Sequence, residues 1–133
     1  MPPDQEAGAR ALLDRWLENV IRRDAPSVAA LYHPEAQLWG TIAAHFRDQP
    51  EQIRDYFDHF LDRHRMQAEY RDVRLRSVGE VVLAGGHYVF RWQDSPNGDE
   101  IKARARFTFV LARHDGGWSI HQHHSSAWVL SGI

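Results

Sequence analysis

Apolar side chains recur at Ala7, Ala11, Leu12, Trp16, Leu17, Val20 and Ile21, with Asp14, Arg15, Glu18 and Arg22 on the other side. That spacing follows the 3.6-residue helical turn and predicts an amphipathic helix over residues 6–23. A second short helix is expected over residues 26–32, after Asp24 or Ala25, because Pro26 suits a first helical position. His33-Pro34-Glu35 breaks the pattern, since a residue before proline avoids the helical region. Residues 36–41 read as a short strand in which Gly40 marks a bend or bulge. Gln49-Pro50-Glu51 opens a third helix, with Ile53, Tyr56, Phe57, Phe60 and Leu61 on its buried stripe.

After about residue 66 the period changes from helical to two. Four strands are expected, over residues 68–78, 80–93, 100–113 and 117–129. The segments between them, Val78-Gly79-Glu80, Ser95-Pro96-Asn97-Gly98-Asp99 and His114-Asp115-Gly116-Gly117, are rich in turn formers. Helices followed by an antiparallel meander predict an α+β fold, with the helices packed on one face of a curved sheet. A strongly bent sheet around a helix encloses a conical pocket, a natural ligand site. No linker, repeat or low-complexity tract divides the chain, so residues 1–133 are read as one domain.

Composition narrows the function classes. The net charge is −2, which gives no electrostatic reason to bind nucleic acid or an anionic membrane. The absence of cysteine excludes disulfides, thiolate metal sites and a cysteine nucleophile. The start, Met-Pro-Pro-Asp-Gln-Glu, does not read as a signal peptide, and no apolar run approaches the roughly 20 residues of a membrane span. A cytoplasmic location is expected. Nine histidines are many for this length and bring near-neutral acid–base and metal-binding chemistry into question.

The last expected strand carries the densest chemistry, Trp118-Ser119-Ile120-His121-Gln122-His123-His124-Ser125-Ser126-Ala127-Trp128. Strict alternation places Ser119, His121, His123 and Ser125 on one face, and Trp118, Ile120, Gln122, His124 and Ser126 on the other. Setting Arg104, Arg106 and Thr108 of the preceding strand on the histidine side gives a polar patch, in which Arg106, Thr108 and His121 are expected to bind substrate. The opposite face, with Trp118, Ile120 and Trp128 beside Phe107 and Phe109, is expected to be an apolar surface that supports a homodimer or higher oligomer. Three readings of the patch compete: a hydrogen-bonded polar ladder, a metal site, and a metal-free small-molecule site. His121 and His123 at i and i+2 could share one zinc or manganese ion, but a third ligand, from His87 or His45, has no clear signal in the sequence. The site is therefore expected to hold no metal.

Leu38-Trp39-Gly40-Thr41, Pro50-Glu51-Gln52-Ile53-Arg54-Asp55-Tyr56-Phe57, Ala105-Arg106-Phe107-Thr108-Phe109-Val110 and His123-His124-Ser125-Ser126 together resemble one branch of the nuclear transport factor 2-like superfamily. The branch is that of the calcium/calmodulin-dependent kinase II association-domain-like proteins, and within it the iota-class carbonic anhydrases. The resemblance implies a cone-shaped fold and hydration of carbon dioxide to bicarbonate without a tightly bound metal. It also implies a site on Thr41, Tyr56, His123 and Ser125. His123 is then expected to be the general base, with the hydroxyls positioning water and substrate and His124 on the opposite face. Two positions depart from the family pattern: Gln122 interrupts a run of histidines, and Phe107 stands where tyrosine is common. Structural roles are open beside these. Thr41 also fits as the cap of a bent strand, Tyr56 as a core side chain, and Arg106 as an ion-pair partner of Glu35, Glu51 or Asp55. The alternative functions are a noncatalytic association or ligand-binding domain, or a polyketide-cyclase-like enzyme, which would need an acidic base inside the cone.

Overall fold

A computed structural model describes residues 1–129. Its elements are α1 (Pro3–Ile21), α2 (Ala25–Ala29), β1 (Tyr32–Trp39), α3 (Pro50–Phe60), β2 (His64–Val78), β3 (Val81–Gln93), β4 (Ile101–His114) and β5 (Gly117–Ala127). Pro3 starts α1, with Asp4 and Glu6 in the first turn, where carboxylates offset the positive helix end. Its buried stripe is Ala9, Leu12, Leu13, Trp16 and Val20, while the expected Ala7 and Ala11 are exposed. Asp24 caps α2 by accepting from the Ser27 backbone N–H at 3.2 Å.

The five strands form one α+β sheet in the order β1-β5-β4-β3-β2. β2 to β5 are the expected antiparallel meander, and β1 lies parallel to β5 at the edge. The expected break at His33-Pro34-Glu35 is instead part of β1. The extended geometry that proline imposes on its neighbour suits a strand, and an edge strand tolerates the missing N–H. Asp115 and Gly116, at φ 49° and 79°, make the tight turn from β4 to β5, as their left-handed backbone allows.

The inner face of the sheet carries Val82, Ala84, Tyr88 and Phe90 from β3, then Ala105, Phe107, Phe109 and Leu111 from β4, and Ile120 from β5. Trp16 of α1 stacks on Tyr88 at 5.6 Å and 10°, and meets Phe109 edge-on at 5.6 Å. This packing overturns the expected open apolar face: Phe107, Phe109 and Ile120 are the core. Trp118 is half-buried against α1, where a Cβ on Gly8 would come within 2.2 Å of its ring. Trp128 lies over His87, ring centroids 4.7 Å apart. No helix among the described residues is long and apolar enough to cross a membrane.

Candidate functional site

The pairing of β4 with β5 decides which side chains can meet. Phe109 pairs with His123 and Phe107 with Ser125, so both polar residues point inward among the aromatics. Arg106 pairs with Ser126 and Thr108 with His124, and all four belong to the outer face. The expected grouping of Arg106 and Thr108 with His123 and Ser125 is therefore corrected. Both are exposed on the far side of the sheet, since the large aromatics, not the polar residues, fill the inner positions of β4. Among the described residues Arg106 forms no ion pair with Glu35, Glu51 or Asp55.

His121 also leaves the site. The register slips between Val110 and Leu111, which face Gln122 and Ile120, so His121 is an extra residue in a bulge. Its ring stacks on His33 of β1 at 4.4 Å and 26°, and its Nε2 lies 3.2 Å from the Ser119 hydroxyl. Strict alternation fails at this bulge, and the two rings have different neighbours, His33 for His121 and Tyr32, Tyr88 and Phe109 for His123. Among the described residues no three His, Asp or Glu side chains are arranged to hold a metal.

Four of the expected residues do come together. Gly40 follows β1, and the loop after it folds back through Leu38 and Arg47, whose backbones exchange hydrogen bonds of 2.8 and 3.0 Å. The Gln52 side chain fastens the far end of that loop to α3, accepting from Asp48 and Gln49 N–H at 3.0 and 3.1 Å. This brings Thr41 over β5, where its hydroxyl bonds that of Ser125. Tyr56 reaches the same place from α3. Its hydroxyl lies among the Thr41 and Ile42 backbone donors and the Thr41 side chain, and burial pushes its pKa up. Gly40 is required here for space: a Cβ would stand 2.2 Å from the Tyr56 ring.

Behind Ser125 the hydrogen bonding continues into the core. The Tyr88 hydroxyl donates to Ser125 Oγ at 2.5 Å and lies 3.1 Å from His123 Nε2. His123 Nδ1 is 2.7 Å from the Tyr32 hydroxyl, which accepts from the Trp16 indole N–H at 3.1 Å. His123 is 3% exposed, and burial, then the charge of His124, pushes its pKa down to about 3. Burial raises Tyr32 and Tyr88 well above the ordinary phenol range. The ring expected to act as a free base titrating near 6.5 is thus neutral, with both nitrogens engaged by tyrosines. Sequence reading missed Tyr32, Tyr88 and Trp16. Tyr88 was accessible as a polar-tipped aromatic on the inward stripe of β3, whereas Tyr32 fell inside an expected helix.

Thr41 borders a cavity of about 40 Å³ walled by Phe60, Phe90, Trp92 and Ala105, with Arg63 and Arg104 at its rim. Such a space holds a water or a molecule of a few atoms. The Arg63 guanidinium lies over the Trp92 ring at 4.7 Å, and its Nε is buried without a hydrogen-bond partner among the described residues.

Residues 5–129 match the family model of the calcium/calmodulin dependent protein kinase II association domain. The chain belongs to that family. A solved relative, described as a putative association domain of this kind from Xanthomonas campestris, is 31% identical. It superposes with a TM-score of 0.83 over 92% of this chain and 87% of its own. The association domain also shares its fold with a putative dehydratase of the NTF2-like family from Streptomyces avermitilis, at 15% identity and TM-score 0.87, covering 98% and 100% of the two chains. An NTF2-like protein of unknown function from Pseudomonas putida KT2440 follows at 23% identity and TM-score 0.79, covering 96% and 89%. No curated protein matches the sequence significantly. The fold is therefore the expected NTF2-like one, of the association-domain branch.

Proposed function

We propose that this association domain hydrates carbon dioxide to bicarbonate in its inner pocket, without a resident metal. One observation carries the reading. Thr41, Tyr56, His123 and Ser125, which the resemblance names from a loop, a helix and a strand, converge on one hydrogen-bonded cluster beside a small aromatic-walled cavity. The cavity suits a small apolar substrate, and the hydroxyls suit charge that develops on its oxygen. A water oxygen attacks the carbon, and one C=O electron pair moves onto oxygen, where the Thr41 hydroxyl donates to it, with Ser125 donating to Thr41 from behind. The water proton leaves to solvent buffer, and bicarbonate is the product. His123, neutral and bonded on both nitrogens, acts by holding Tyr88 and Ser125 in place rather than by taking that proton. Orientation and oxyanion stabilisation without a metal hydroxide imply modest turnover. The test is stopped-flow hydration by purified protein with and without a chelator. Hydration above the buffer rate that survives chelation supports the reading, and none in the folded protein sinks it.

The unpartnered Arg63 Nε favours a second reading, a noncatalytic association domain whose pocket binds a small anion. Self-association accords with the family, and the exposed Trp39, Ile42 and Phe46 offer it an apolar surface in place of the buried sheet face. Light scattering at micromolar concentration distinguishes an oligomer from a monomer. A polyketide-cyclase-like reading has less support, because among the described residues no carboxylate lines the cavity.

A further inference from the structure

We infer that Tyr32, backed by the donor-only indole of Trp16, fixes the direction of the whole buried hydrogen-bond chain, so that its pocket end presents hydroxyl donors rather than an imidazole lone pair. The argument starts at the closed end. An indole N–H can donate and cannot accept, so the Tyr32 oxygen receives the 3.1 Å bond from Trp16. Among the described residues the Tyr32 proton then has one acceptor, His123 Nδ1 at 2.7 Å. Were Nδ1 protonated instead, Tyr32 would accept twice and its own O–H would be buried without a partner. That arrangement is disfavoured by roughly tenfold or more. His123 is therefore the Nε2–H tautomer. Its Nε2–H donates to the Tyr88 oxygen at 3.1 Å, which frees the Tyr88 O–H for Ser125 at 2.5 Å. Ser125, having accepted, donates to Thr41, and the Thr41 hydroxyl is left to donate at the cavity wall or to Tyr56.

Every link thus points from the core toward the pocket. The low basicity of the buried ring keeps the chain from reversing by protonation at neutral pH. The consequence is chemical selectivity. The site meets acceptor oxygens, such as those of an oxyanion forming in the transition state, and gives a proton-bearing nucleophile no base. Tyr32 and Trp16 touch no substrate and are positioning residues. Their functional meaning rests on the proposed hydration, but the direction of the chain does not, and the two can fail separately.

The test is long-range proton–nitrogen NMR on histidine-labelled protein at pH 7 without substrate. The wild type is expected to show His123 as the Nε2–H tautomer in tenfold or greater excess. Tyr32→Phe removes one hydroxyl and keeps the ring, and is expected to bring both tautomers into view. A wild-type Nδ1–H tautomer, a charged ring, or an unchanged ratio in folded Tyr32→Phe overturns the inference. A confirmed Nε2–H tautomer in protein that does not hydrate carbon dioxide leaves the direction standing and removes only the proposed reaction.

Discussion

His123 stacks on Phe109, ring centroids 4.0 Å apart and 24° between planes, as a direct cross-strand pair of β5 and β4. That pair puts the imidazole in the core and, by alternation, His124 in solvent. It predicts unequal costs. His123→Ala leaves a cavity and strands the Tyr32 O–H, a loss of about 2–5 kcal/mol. His124→Ala changes stability by no more than about 0.5 kcal/mol. Urea unfolding of both variants measures the difference, and equal losses contradict the face assignment.

The depressed His123 pKa makes stability depend on pH in a stated direction. The folded ring binds its proton only near pH 3, whereas the unfolded ring binds it near 6.5. Between those values the unfolded state holds the extra proton, so the contribution is complete above about pH 6.5 and declines as pH falls toward 3. Its slope is about 1.4 kcal/mol per pH unit. The measurement is denaturant unfolding across this range, with His123→Gln showing the shallower dependence.

Activity should behave otherwise. Because His123 does not titrate near neutrality, the hydration rate is expected to show no inflection at a histidine pKa between pH 6 and 8. A sigmoidal rise centred near 6.5 that disappears in His123→Gln would restore imidazole as the base.

Gly40 is fixed by its neighbour rather than by its backbone. Gly40→Ala drives a methyl into the Tyr56 ring and is expected to destabilise by about 1–3 kcal/mol. Combining it with Tyr56→Ala should recover part of that loss. Thermal unfolding of the single and double variants checks the coupling.

Arg106→Ala and Thr108→Ala, both on the outer face, are expected to leave hydration unchanged. A large loss in either, with stability intact, would return these residues to the site.

How much of this was legible in the sequence follows from the physics of each element. The change from helical to two-residue period found the helices and the meander, since burial on one face imposes it. Inward His123 and Ser125 followed from alternation, but which β4 face they join did not. Arg106 and Phe107 are neighbours, and one step of register exchanges them. The choice fell to the aromatics because they carry the apolar area that the core must bury. The His121 bulge has no glycine or proline to announce it. Tyr32 was hidden for another reason: its partner His123 lies 91 residues away, and no local pattern encodes that pair.

The most direct test of the hydroxyl pocket compares initial carbon dioxide hydration by the wild type with Ser125→Ala, alongside urea unfolding of both. Ser125 joins the core chain to Thr41, so its removal cuts the relay at the cavity wall. The predicted result is hydration above the buffer rate in the wild type and a fall of about 10²-fold or more in a variant that still folds. A folded Ser125→Ala protein with wild-type turnover would contradict the account.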